Sequence, residues 1–397
     1  MSDHKISSLD GLRGIAAITV IFSHITVMFY PYLHAGLTAN PNPSNAAKIL
    51  FNSPFTFFYK GTSAVMLFFV MSGFVLSYSI IRKGFSPDFL KTAVIRRYLR
   101  LNIPVIASIF ICLILVKLGS FRATEFGIKL TLSWAYTSDK GILEALKQAI
   151  YGSIILGKGT FNYVLWTINI EFFGSLLVYF LIVFLGHNIF LLRMACLAIS
   201  ACTLTNSVPF VWGMGLFPAG VLLATFNVKS NGSLVSIIIS AFTLLIGLYL
   251  YGFNSESSSY HYINMYLDYL NNNGFDIPKG FIVSIIGVIM VISCFCINAS
   301  VFRLLESSLC RWLGKISYSV YLTHTLVLAI FAPYVIHYFG LGFSAILLCA
   351  TIVIPVTVLA SWAFCEAFDV TAINNSKKIA ILINDFCESK KERNNIS

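Results

Sequence analysis

Three groups of side chains have the types and spacing to do chemistry. The first is Asp10, Arg13 and His24. On a helix, Arg13 and His24 return to nearly the same face, about 16 Å apart, and Asp10, one turn before Arg13, joins it. Gly11 and Gly14 strip bulk from that end and allow close approach of a second helix or a ligand. The second group centres on Glu171, at the end of Asn162, Trp166, Thr167, Ile168, Asn169 and Ile170, where a long apolar run begins. Counted from the start of that run, Glu171 lies about 12 Å deep, and His24 falls at a similar depth in an apolar core of about 30 Å. A carboxylate beside an imidazole orients one ring tautomer and stabilises the imidazolium, which is how a general base is held. The expectation is therefore a Glu171–His24 pair. The plainer alternatives are a structural ion pair for Glu171 and an interhelical hydrogen bond for His24. The third group is Arg96, Arg97 and Arg100, which follow Arg82, Lys83 and Lys91 and precede Asn102 and Pro104. Guanidinium forks suit phosphate, so the cluster is a topology anchor, an anionic-lipid contact or a site for a phosphate-bearing cofactor.

Two further segments carry polar groups. Ser72 and Gly73, within Phe68–Phe74, read as small-residue helix packing, since Ser72 is a weak nucleophile without a base beside it. Tyr318, Tyr321 and His324 trace a polar stripe on one late helix, and His324 either bonds within the bundle or lines a reaction cavity. The nine cysteines are scattered through apolar segments without metal-ligand spacing, and they read as inert.

The elements that must position these groups are membrane helices. Of 397 residues, 57% are hydrophobic and only 11% charged, and mean hydropathy is +0.82. So few charges cannot cover a water-soluble domain of this size, which excludes a soluble enzyme, a disordered chain and a disulfide-stapled secreted protein. Strand alternation is absent, so the fold class is all-α, a polytopic transmembrane helix bundle. About ten spans are expected, near 12–30, 62–80, 101–118, 163–185, 189–206, 209–226, 233–251, 280–298, 316–336 and 343–365. The fifth and sixth are the weakest, since Asn206, Pro209 and Gly213 interrupt them. Segment 126–156 is only moderately apolar and is not counted. The net charge of +11 resides in short loops, where it reads as topology control rather than nucleic-acid binding. Most basic residues fall on the side of the N-terminus, so both termini are expected in the cytoplasm. The first run lacks a clean cleavage site and reads as a span rather than a signal peptide. A single embedded domain is expected over 1–370, with a charged tail over 371–397.

A resemblance rests on five segments in order. Leu9–Ala17 with Ser23 and His24, Phe68–Phe74, Arg97–Arg100 with Pro104, Leu165–Thr167 with Glu171, and Trp312–His324 are similar to motifs of the acyltransferase 3 family of integral membrane acyltransferases. The resemblance implies a ten-helix core that transfers an acyl group, usually acetyl, from cytoplasmic acetyl-CoA to a hydroxyl. Acceptors implied are surface polysaccharides, lipid-linked glycans, peptidoglycan or small secreted molecules, and the expected location is a bacterial inner membrane. It associates Arg13 and His24 with activity. On this reading His24 is the base, oriented by Glu171, and Arg13, Arg96, Arg97 and Arg100 meet the CoA phosphates or the thioester. Asp10, Ser72, Gly73, Trp166, Tyr318 and His324 support them, and no metal takes part. An acyl-His24 intermediate is the second route. A proton-coupled transporter using Glu171 and His24 as a relay is the rival class, although no inverted repeat is evident and the clustered arginines would then have no specific task.

Overall fold

The computed structural model describes every residue except 1–3, 39–42, 85–88, 129–135, 137–140, 227–232, 276, 380 and 383–397. Ten principal helices follow one another: α1 (His4–Phe29), α2 (Gly61–Lys83), α3 (Phe89–Lys117), α4 (Trp166–Leu185), α5 (Ile189–Leu204), α6 (Pro209–Ala224), α7 (Leu234–Tyr251), α8 (Lys279–Ile297), α9 (Ser308–Phe339) and α10 (Phe343–Phe364). Eight of them are long and apolar enough to cross a membrane. The remaining two, α5 and α6, match the fifth and sixth expected spans but are 16 residues each, about 24 Å, short of an apolar core of about 30 Å. Eight of the ten expected spans are thus long and apolar enough to cross, and the other two form a shorter apolar hairpin. Asn188 caps α5 by accepting from the Phe190 and Leu191 amides, and Pro209 opens α6, where a missing N–H costs nothing. The last span continues through a π turn, Cys365–Asp369, to residue 379 without a break at 370, and Lys390, Lys391 and Arg393 of the expected tail lie outside the described residues.

Glycines set the close crossings. A Cβ on Gly11 would lie 2.1 Å from the Leu305 carbonyl oxygen, and one on Gly314 would lie 2.0 Å from that of Asp10. Gly11 therefore seats α1 against the helical turns just before α9, and Gly14 seats it against the start of α9, so their bare surface is taken by helix rather than ligand. Gly73 does the same for α2 on α6, where a Cβ would meet the Phe217 backbone oxygen at 2.2 Å.

Among the described residues, two large buried clusters fill the bundle, and two small ones lie under the connecting segments. One large cluster joins α3, α9 and α10 with part of α1, and the other joins α2, α4, α6 and α8. Phe68, Leu176 and Tyr321 pack against both and mark the seam. One end of the bundle collects Arg13, Arg97, Arg100, Arg311 and Lys315 and is called the basic end. At the far end, the segment between α1 and α2 is fastened to the segment after α7. Thr56 Oγ1 donates to the Gly252 carbonyl (2.6 Å), Ser257 Oγ to that of Phe51 (2.8 Å) and Asn254 Nδ2 to that of His34 (2.9 Å).

The segment before α4, not counted as a span, packs against the bundle. Residues Ile142–Lys147 form a short helix that runs into a π turn, Gln148–Gly152, and returns through Gly157. Its backbone is held by the sides of α3 and α4. Asn102 Nδ2 donates to the Ala149 carbonyl (3.0 Å), Tyr98 hydroxyl to that of Ile150 (2.9 Å) and Asn169 Nδ2 to that of Ile155 (2.8 Å). Non-helical backbone at membrane depth persists only with such partners.

Candidate active site

A cavity of about 360 Å³ lies at the seam. Asp10, Arg13, Arg97, Arg100, Arg311, Lys315 and Asp369 supply its charge, while Ser72, Glu171 and Tyr318 line it further in, with Thr167 and Tyr321. Five cations face three carboxylates across this lining, so the cavity is biased toward anions. Of the residues singled out from the sequence, Asp10, Arg13, Ser72, Arg97, Arg100, Glu171 and Tyr318 are thus brought together. Arg96 is exposed and outside the lining, Gly73 serves the α2–α6 crossing, and Trp166 opens α4 and packs against the second cluster. Arg311, Lys315, Thr167, Tyr321 and Asp369 were missed as site residues. Arg311 and Lys315 look like topology charges, Thr167 and Tyr321 sit inside motifs read for their neighbours, and Asp369 carries no local signal.

Glu171 does not touch His24. Its carboxylate accepts from Ser72 Oγ (2.7 Å) and pairs with Arg97 Nη2, and both side chains of the pair are largely buried, at 16% and 8% exposure. The reason is the position of α4. Asn162, just before it, donates to Ser108 Oγ and to the Leu322 carbonyl, both at 2.7 Å, in the middle of α3 and α9. The helix therefore starts part-way into the bundle, and Glu171, nine residues later, lies roughly 13 Å closer to the basic end than the level of Leu322.

His24 instead meets His324, whose side chain is fully buried two residues beyond Leu322. The ring centroids are 5.0 Å apart. His324 Nδ1 lies 2.9 Å from the Val320 carbonyl, and His24 Nδ1 lies 3.0 Å from that of Val20 and 3.1 Å from His324 Nε2. A carbonyl accepts only, so His324 carries its proton on Nδ1 and offers the Nε2 lone pair. His24 then carries its proton on Nδ1, shared between Val20 and His324, and its own Nε2 holds a free lone pair. Two backbone carbonyls thus set the tautomer of a base, the task assigned to Glu171 from the sequence.

The two regions adjoin. Tyr321, at the inner limit of the cavity, has its ring 5.9 Å from that of His324, and its hydroxyl bonds Thr167 Oγ1 (2.7 Å) and the Val164 carbonyl (3.0 Å). Toward the far end, Tyr163 stands edge-on to His24 at 6.1 Å, and His34 Nε2 bonds Thr26 Oγ1 at 2.8 Å. Burial, with the nearby charge of Lys60, pushes the His34 imidazole down to about 3, so it is neutral at pH 7. No cluster of three or more His, Cys, Asp or Glu side chains suited to a metal occurs among the described residues.

Fold and site together define a polytopic membrane protein whose charged internal cavity ends beside a tautomer-fixed histidine. The profile of the acyltransferase 3 family, described as an acyltransferase domain, matches residues 6–365, and the chain belongs to this family of membrane-bound O-acyltransferases. It is similar to the O-acetyltransferase PaAT-1 of Phomopsis amygdali, 27% identical over 259 residues, which cover 58% of this chain and 50% of that protein. It is also similar to acyltransferase R4 of Phoma sp., 32% identical over 142 residues, covering 29% of this chain and 30% of that protein. The chain therefore spans half or less of the length of these curated relatives. No solved structure matches it.

Proposed function

We propose that the protein is a membrane O-acetyltransferase that takes acetyl-CoA from the basic end and delivers the acetyl group to a hydroxyl beside His24. The observation that carries this reading is the tautomer-fixed His24, whose partner ring His324 lies 5.9 Å from Tyr321 at the inner limit of an anion-attracting cavity. Arg13, Arg100 and Arg311 hold the CoA phosphates at the mouth, Lys315 being paired with Glu366, and the thiol-ended arm runs inward past Tyr318 to Tyr321. Arg97, engaged by Glu171, acts as a fixed positive wall rather than a free phosphate ligand.

His24 Nε2 takes the proton of the acceptor hydroxyl while its oxygen attacks the thioester carbonyl. The C–S bond of the tetrahedral intermediate then breaks, and the leaving thiolate recovers the proton from His24. His324 and Val20 hold the imidazole in the productive tautomer throughout, and no metal is required. The basic end faces the cytoplasm on the positive-inside rule, in a bacterial inner membrane, and the acceptor is a surface or lipid-linked glycan. The PaAT-1 name supports acetyl as the group transferred.

The test is His24→Ala in reconstituted protein with acetyl-CoA and a hydroxylated acceptor. Transfer falls by about 10²–10⁴, the usual contribution of a positioned base, with CoA binding retained. Near-wild-type transfer in folded His24→Ala overturns the assignment. Labelled acetyl retained on wild-type protein without acceptor would replace direct attack by an acyl-His24 route.

A further inference from the structure

The stretch that dips beside α3 and α4 bounds a second concavity, distinct from the central cavity. It is a groove of about 450 Å³ between the Ile142–Gly152 helical turns and the returning limb, lined in part by Lys147, Gln148, Tyr151, Lys158 and Thr160. Three observations point to what it holds. First, its depth is that of lipid. The α3 anchors Asn102 and Tyr98 lie about 9 and 15 Å closer to the basic end than Ser108, which is level with Asn162. The outward side chains Ile142, Leu143, Leu146, Ile150, Ile155 and Leu156 are 41–64% exposed, which in a bilayer means contact with acyl chains. Second, two lysines, Lys147 and Lys158, and one carboxylate, Glu144, line the groove, a net positive charge, and neither lysine has an ion-pair partner among the described residues. Third, Gln148 is 3% exposed, and its Nε2 donates to Ser153 Oγ (3.1 Å) and to the Lys158 carbonyl (3.0 Å), yet its Oε1 has no partner. A buried carbonyl oxygen left open in an otherwise satisfied side chain calls for a donor from a ligand.

We propose that this groove is a lateral docking site for the phosphate-bearing head of a membrane lipid, and that a hydroxylated lipid of this kind is the acceptor. The two lysines meet the phosphate, Gln148 Oε1 accepts from a hydroxyl of the head, and the acyl chains lie along the exposed apolar face. The limb that forms one wall continues through Gly159 to Tyr163, whose ring abuts His24. A head group held there is one short segment away from the base. The acceptor role rests on the acyl-transfer reading above, whereas lipid docking stands by itself.

The experiment uses the full chain in phosphatidylcholine nanodiscs carrying a small fraction of phosphatidylglycerol with a photoactivatable acyl chain, without acetyl-CoA. The comparison probe is phosphatidylcholine bearing the same chain. Labelling of residues 142–156 is expected to favour the anionic probe, and Lys147→Gln with Lys158→Gln should lower that labelling about 10- to 30-fold at limiting probe. Unchanged CoA binding reports that the double variant is folded. Equal labelling by both probes, or labelling indifferent to the lysines, overturns the docking site and leaves annular lipid only. The acceptor role has its own arm: the double variant should raise KM for a phosphate-linked lipid acceptor and leave transfer to a short soluble acceptor unchanged. Equal effects on both acceptors overturn that role. Failure of acyl transfer in wild-type protein would leave the labelling result standing, so the two readings fail separately.

Discussion

Replacing Glu171 by Gln distinguishes its partners energetically. In the wild type the Arg97 guanidinium is neutralised by Glu171 in a largely buried pair that Ser72 also supports. The substitution leaves a buried cation with no counter-charge, a change that costs about 3–5 kcal/mol when one member of such a pair is lost. Removing Arg97 as well, as Arg97→Gln, eliminates the orphan charge, so the double variant should regain about 2–3 kcal/mol of that loss. His24 and Glu171 share no hydrogen-bond partner among the described residues. His24→Ala and Glu171→Gln should therefore add to within about 0.5 kcal/mol. The assay is a double-mutant cycle on unfolding free energy in mixed micelles, repeated on log rates of transfer. Additivity between Glu171 and Arg97, together with strong coupling between Glu171 and His24, would refute the pairing described here and restore the carboxylate–imidazole couple.

Three other outcomes follow from the same geometry. Arg100→Gln should weaken CoA binding by roughly one to two decades, the value of about 1.5–3 kcal/mol for a charge-assisted contact, measured by titration of purified protein. Gly314→Ala drives a Cβ into the Asp10 backbone and should lower unfolding free energy by about 1–3 kcal/mol, whereas Gly280→Ala, which meets nothing within 4 Å, should be neutral or slightly stabilising. His34 has its folded pKa depressed to about 3, so the unfolded chain binds the extra proton first; stability should fall as pH drops below about 6.5, and His34→Gln should flatten that slope in thermal scans at pH 4–7.

Much of the bundle is legible because a membrane helix announces itself locally. Each long span is a continuous apolar run, and the interruptions at Asn206 and Pro209 already mark the hairpin that proves short. Depth is less legible. The Glu171–His24 pairing counted residues from the start of an apolar run and assumed that start lay at the membrane surface. The dipping stretch before α4 breaks that assumption, and it is irregular backbone whose partners, Tyr98, Asn102 and Asn169, look like ordinary helix residues. The His24–His324 contact joins residues 300 positions apart, so no periodicity carries it. Arg13, Arg97, Arg100 and Glu171 do meet in one cavity, since charge at membrane depth points inward wherever it occurs.

That 300-residue separation bears on how the protein is made. His24 leaves the ribosome well before its partner, which arrives with α9, 300 residues later. At about 5–20 residues per second, the interval is roughly 15–60 s. Until then α1 has no glycine-lined neighbour to receive Gly11 and Gly14, and the imidazole has no second ring to lock it. Insertion and partnering of His24 are therefore separate events: α1 is made first, and the contact that fixes its imidazole forms only when α9 packs beside it.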